Sequence, residues 1–260
     1  MMVSTSQLVL RIDDARGVTT LTLNRPAAFN ALSEALLTEL QNTLDDLAQD
    51  KKLRVLIIAA SGKAFCAGHD LREMRVDPSI NYYQKLFAQC GRMMMGIQAL
   101  HVPVIAKVQG IATAAGCQLV AQCDLAVASS DARFAVSGVN LGLFCSTPSV
   151  ALSRNLSRKA AFEMLVTGDF ISAQEAMEKG LVNHVAPPDA LDAKVEELVS
   201  KILSKPSVAL AMGKELFYKQ LETGIDGAYT IAANTMACNM MDDSALEGVQ
   251  AFLEKRSPQW

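Results

Sequence analysis

Pro103-Val-Ile-Ala-Lys-Val-Gln-Gly110 runs directly into Ile111-Ala-Thr-Ala-Ala-Gly-Cys-Gln118. The stretch Pro103 to Val108 is short and apolar with proline at its first position, which reads as a buried strand. The small residues Ala112, Ala114, Ala115 and Gly116 then lead into a helical pattern. A helix starting there aims unpaired N–H groups and the positive end of its dipole at whatever lies in front of it. That arrangement can stabilise a developing oxyanion. Close packing of a helix on a strand accounts for the same small residues equally well. The segment is not a phosphate loop, because the required spacing and the Lys-Ser/Thr pair are absent.

The same alternation extends to both sides. Gly17 to Asn24 is β-branched and apolar until Arg25-Pro26 breaks it. Leu36, Leu37, Leu40, Leu44 and Leu47 then recur at helical spacing. Arg54 to Ala60 (RVLIIAA) reads as a strand buried on both faces, Asn81 to Leu100 as a helix, and Asp124 to Ala128 as a third buried strand. Strands separated by helices indicate an α/β protein. After a capping box at Ser172-Ala-Gln-Glu175 and the pair Pro187-Pro188, the pattern becomes helical: Leu191 to Leu203, Pro206 to Leu221, Ile225 to Met240 and Ser244 to Lys255. We expect an α/β body over residues 1–201 and a helical region over 202–260, packed on the body or on a neighbouring subunit.

Composition narrows the function. The chain has 260 residues, half of them hydrophobic, which is not the make-up of a disordered segment. Lys and Arg number 24 against 27 Asp and Glu, a net charge of −3. No broad basic field is available for nucleic acid or an anionic membrane. The six cysteines form no C-x-x-C pair, and only His69, His101 and His184 could join them. No metal site is expected. Met1 to Leu10 shows no signal peptide, and the apolar stretch from Val102 to Ala121 is broken by polar residues, so no membrane span is expected. These features point to a soluble, cytoplasmic protein.

Two further segments stand out. Ala64-Phe-Cys-Ala-Gly-His-Asp70 follows a buried strand, and its small residues allow close approach to the backbone. Taken alone it is best read as a turn with Asp70 as helix cap. Asn140-Leu-Gly-Leu-Phe-Cys-Ser-Thr-Pro148 is a glycine-bearing turn, in which Cys145 reads as a buried structural thiol.

In order along the chain, these segments resemble the crotonase superfamily, the enoyl-CoA hydratase/isomerase family. The resemblance runs through Leu23-Asn-Arg-Pro26, Asn30-Ala-Leu32, Ala64 to Asp70, Pro103 to Ala106, Gly110, Ala115 to Leu119, Cys123-Asp124, Asn140-Leu-Gly142, Thr167-Gly-Asp169 and Ala251 to Arg256. Within the family, it looks most like the enoyl-CoA hydratase domain-containing proteins. It implies a spiral of β-β-α turns followed by a helical trimerisation region, assembled as a homotrimer or a dimer of trimers. It implies an acyl-CoA thioester as ligand, with coenzyme A part of the substrate and no tightly bound cofactor. The thioester oxygen would sit between the backbone N–H groups of His69 and Ala115. The CoA arm would run past Ala28, Ala67, Asp70, Leu71 and Arg72. Phe252 and Lys255 would complete the site from a neighbouring subunit.

The resemblance also marks a departure. Family hydratases use two glutamates, because a positioned carboxylate can move the proton that hydration of a C2=C3 bond requires. The matching positions are Gln118 and Gly138. Hydration is therefore expected to be poor, and carboxylates restored at both positions are expected to raise it. The alternative is a non-catalytic or regulatory binder of CoA thioesters.

Overall fold

A computed structural model describes residues 7–260. The first six residues of the expected signal-free start, Met1 to Leu10, lie outside the described range. The strands are β1 (Val9–Asp13), β2 (Val18–Leu23), β3 (Val55–Ala60), β4 (Ala64–Cys66), β5 (Val104–Val108), β6 (Ile111–Thr113), β7 (Leu125–Ser129), β8 (Arg133–Ala135), β9 (Ile171–Ser172) and β10 (His184–Ala186). The helices are α1 (Glu34–Gln49), α2 (Leu71–Met74), α3 (Ile80–Ala99), α4 (Ala115–Gln122), α5 (Ser146–Asn155), α6 (Arg158–Thr167), α7 (Ala173–Glu178), α8 (Leu191–Leu203), α9 (Ser207–Leu221), α10 (Ile225–Met240) and α11 (Asp243–Leu253). The expected boundary at residue 201 falls in the last turn of α8.

Two sheets carry the body. The larger has the order β1-β2-β3-β5-β7-β10, and the smaller has β4-β6-β8-β9. β3, β5 and β7 are parallel neighbours in the larger sheet, and each is followed within a few residues by its counterpart in the smaller one. A helix then returns the chain for the next turn. This is the expected spiral of β-β-α units. The smaller sheet was not anticipated, because its strands are two or three residues long and carry no readable period.

The continuous apolar run of β3 follows from burial on both faces. Leu56 and Ile58 join the main core with Leu36, Leu40 and Leu44 of α1 and Met93 and Ile97 of α3. Val55 and Ile57 face the other way, against Leu191, Val195 and Val199 of α8. Ser33 caps α1 by accepting from the Leu36 N–H, and Ser172 and Glu175 form the reciprocal capping box on α7.

The helical region is tied to the body by a buried ion pair. Lys214 of α9 donates to Asp124 at 2.7 Å and to the carbonyls of Ile97 and Val102, while the Tyr218 hydroxyl donates to Asp124 at 2.6 Å. Otherwise α9 to α11 bury little of their own surface: Ala228 and Ala251 are their only buried residues. Ile225, Tyr229, Met236, Leu246 and Phe252 are each at least half exposed. All six cysteines are free thiols, and only Cys238 is exposed.

Candidate active site

Two successive turns of the spiral bring their loops together. β4 pairs in parallel with β6, Ala64 opposite Ile111 and Cys66 opposite Ala112. The chain leaves β4 through Ala67-Gly68-His69 and leaves β6 through Ala114 into α4. Gly68 has φ +90°, and a Cβ built on it would stand 2.9 Å from the Ala114 Cβ and 3.3 Å from the Ala115 nitrogen. The loops therefore touch backbone to backbone, and Gly68 is glycine for both conformation and space.

The amides at this junction are directed by the local structure. Leu32 forms a parallel bridge with His69, in which the Leu32 N–H donates to the Gly68 carbonyl and the Asp70 N–H donates to the Leu32 carbonyl. In such a bridge the N–H of the middle residue points to the opposite edge, so the His69 amide turns away from Leu32. Ala115 is the first residue of α4, where N–H groups have no acceptor within the helix. Its N-cap, Ala114, provides no side-chain acceptor and holds φ 52°, ψ −123°. A left-handed alanine is strained. The Ala114 N–H is anchored to the Ala135 carbonyl of β8 at 2.9 Å.

His69, Ala67, Leu71, Ala115 and Gly138 line one cavity of about 260 Å³, together with Met74, Phe87, Ala114, Ser137, Leu141 and the segment Leu143 to Pro148. Five of the expected residues thus meet in one place. Among the described residues, no lining side chain is Asp, Glu, Lys or Arg. The His69 ring packs edge-on against Phe87 with centroids 5.4 Å apart. Both ring nitrogens are buried and lack a hydrogen-bond partner among the described residues. Burial lowers the imidazole pKa to about 4, outweighing an opposing pull from the nearby Leu32 backbone, so the ring is neutral near pH 7. Burial also raises the Cys145 thiol above its ordinary value, in agreement with a structural role.

Gln118 lies one turn into α4 from Ala115. It is 4% exposed, and its Oε1 is buried without a partner. It is not among the residues that line the cavity. Nothing in composition or spacing announced this orphaned amide. Gly138 is more constrained: a Cβ there would lie 2.5 Å from the Leu143 carbonyl oxygen and 2.7 Å from the Cys145 sulfur. The expectation that a glutamate could be restored at Gly138 is corrected by this geometry, because the place of its first side-chain carbon is taken.

The remaining expected residues lie around the mouth or away from it. Asp70 caps α2 by accepting from the Arg72 and Glu73 N–H groups, and it pairs with Arg25 at 3.0 Å. Desolvation works against the Asp70 carboxylate, but Arg25 and these N–H groups prevail and hold its pKa below the ordinary value. Ala28 ends the short 3-10 turn Pro26–Ala28, and Arg72 is exposed on α2. Neither lines the cavity. Phe252 is 81% exposed and borders a separate groove with Trp260 and Leu253. Lys255 follows α11 with φ 56°. Within one chain, these two residues are not part of the cavity.

A spiral of β-β-α turns with an apolar cavity between two of its loops defines a fold class, and comparison with known proteins gives the family. Residues 13–260 match the family model described as enoyl-CoA hydratase/isomerase. The chain is 45% identical over 244 residues to the human enoyl-CoA hydratase domain-containing protein 3, mitochondrial, covering 94% of this chain and 80% of that one. It is 34% identical to the 2,3-dehydroadipyl-CoA hydratase of Escherichia coli over 92% of each chain. Among solved structures, an enoyl-CoA hydratase from Mycobacterium smegmatis superposes with a TM-score of 0.97 at 66% identity, covering 98% of this chain and 99% of that one. This chain belongs to the enoyl-CoA hydratase/isomerase family.

One expectation is overturned by the same comparison. The curated human, mouse, rat and frog relatives are named as mitochondrial proteins, which conflicts with the cytoplasmic reading. Among the described residues no helix is long and apolar enough to cross a membrane, and neither that nor the net charge distinguishes one compartment from another.

Proposed function

We propose that this protein binds acyl-CoA thioesters, with the thioester oxygen between the His69 and Ala115 amides and the acyl chain in the cavity behind them. The observation that supports this reading is the close approach of the two loops at Gly68, where a Cβ would stand 3.3 Å from the Ala115 nitrogen, with His69 and Ala115 both lining the cavity. Two N–H donors there favour the enolate-like state over the neutral thioester. The CoA arm is assigned to Ala28, Ala67, Asp70, Leu71 and Arg72. Phe252 and Lys255 are assigned to the site of an adjacent subunit in a trimer or a dimer of trimers. The exposed apolar faces of α9 to α11 support such an assembly.

Ordinary hydratase turnover is not part of the proposal. Water adding across C2=C3 must lose one proton while C2 gains another, and donors that hold an oxyanion move neither. The cavity lining offers no carboxylate. This favours, as the second reading, a thioester binder with little turnover. The test is a titration of isotope-labelled protein with acetoacetyl-CoA, read at the two amides by NMR. Shifts at His69 and Ala115 support the site. Binding with both resonances unmoved refutes it.

A further inference from the structure

The cavity lining is polar in places but carries no formal charge. Leu71, Met74, Phe87, Leu141, Leu143 and Phe144 surround most of it. Its titratable lining groups are His69 and Cys145, and both are held in their neutral forms by burial. A carboxylate carried into this space on the end of an acyl chain would find no cation to pair with, and an unpaired buried charge is heavily penalised.

Of the described residues that line the cavity, His69 carries the buried polar atoms without a hydrogen-bond partner, at both ring nitrogens. A neutral imidazole has one N–H donor and one acceptor nitrogen. Its own residue supplies an amide at the mouth, while its ring lines the cavity beside Phe87. The ring is therefore tethered within a side chain's length of that amide, and on the proposed binding mode it faces the start of the acyl chain. A ligand oxygen at that level would satisfy a group that is unsatisfied in the free protein.

We infer that the cavity selects an uncharged acyl chain that carries a hydrogen-bonding oxygen near the thioester, held by the His69 imidazole, over chains that end in a carboxylate. This rests on the proposed thioester binding and specifies what that site accepts. It sets the chain apart from the Escherichia coli relative, whose name gives it a dicarboxylic acyl substrate.

The experiment is calorimetric titration of the intact protein with five probes: free CoA, butyryl-CoA, succinyl-CoA and the two enantiomers of 3-hydroxybutyryl-CoA. The acyl groups all have four carbons. One 3-hydroxybutyryl enantiomer should bind roughly fivefold to tenfold tighter than butyryl-CoA, the worth of one hydrogen bond. Succinyl-CoA should bind at least about a hundredfold more weakly than butyryl-CoA. In His69→Leu the 3-hydroxybutyryl preference should fall to about one, and His69→Gln, which keeps a donor and an acceptor, should retain part of it. Equal affinity for butyryl- and succinyl-CoA overturns the inference. So does a hydroxyl preference that is absent from the wild type or persists in His69→Leu. If His69→Leu does not fold, the wild-type panel decides. Butyryl-CoA binding no tighter than free CoA would overturn the thioester reading itself, a result distinct from acyl chains that bind without discrimination.

Discussion

The Gly138 N–H donates to the Cys145 thiol at 3.3 Å, and the position a Gly138 Cβ would occupy lies 2.7 Å from that sulfur. The segment after β8 is thus folded down onto a residue that has no side chain to hold it off. Gly138→Ala should already cost about 1–3 kcal/mol, the usual penalty of overpacking, read as a lower urea midpoint. Gly138→Glu should cost more and should not create a hydratase. A Gly138→Glu protein with an unchanged midpoint and brisk crotonyl-CoA hydration would contradict the geometry.

At Gln118 the expected outcome is different. Gln118→Glu has room but would introduce a carboxyl where the present amide oxygen is buried and unpartnered. Desolvation would raise its pKa and keep it protonated near pH 7. We expect less than about a tenfold gain in crotonyl-CoA hydration, well short of the ~100- to 10,000-fold that a positioned acid or base supplies. A gain above a hundredfold from this single change would show that one carboxylate suffices.

Stability should fall on mild acidification because of His69. Its folded pKa of about 4 lies below the ordinary 6.5. Between these values the unfolded chain binds the proton and the folded protein does not, so stability is fully present above pH 6.5 and is lost as pH falls toward 4. The contribution is up to roughly 3 kcal/mol. Urea unfolding at pH 7.5 and pH 5 should therefore show a smaller pH difference in His69→Phe than in wild type. Equal differences in the two proteins would mean that the ring is hydrated.

The Asp124–Lys214 pair should be costly to break from one side. Both side chains are largely buried, at 14% and 7% exposure. Burial depresses the Lys214 pKa, with Asp124 opposing. Lys214→Met leaves Asp124 buried, with only the Tyr218 hydroxyl and the Val104 N–H as partners, and should cost about 3–5 kcal/mol. Adding Asp124→Asn should recover part of that loss. Strict additivity in the double variant would indicate that the two groups do not interact.

Assembly is checked by light scattering. The apolar residues left exposed on α10 and α11 should be covered in a trimer or a dimer of trimers. A chain ending at Thr223 should aggregate or fail to assemble. Monomer alone at micromolar concentration would refute the proposed subunit contact, and with it the contribution of Phe252 and Lys255 to a neighbour's site.

Long elements were readable from sequence because their signals are physical and local. Five leucines at helical spacing marked α1, and RVLIIAA marked a strand with helices on both sides. Ser172 and Glu175 marked the start of α7. The smaller sheet was not readable, since a two- or three-residue strand owes its existence to the neighbours that the spiral brings alongside. At the candidate site, small residues on two loops were visible, and Gln118 and Gly138 drew notice only through the family resemblance. The orphaned His69 ring and the filled space at Gly138 were not. Both depend on what residues distant in sequence, such as Phe87 and Cys145, put beside them.

The pairing of β4 with β6 has a consequence for how such a protein can change. The spacing of the loops that carry His69 and Ala115 is set in main chain, by a ladder that substitutions in the cavity lining leave in place and one at Gly68 would not. Pocket residues can be exchanged one at a time while the gauge stays true. If the proposed thioester site holds, a lineage on this scaffold can shed one chemistry and acquire another without passing through a form that has lost its grip on the ligand.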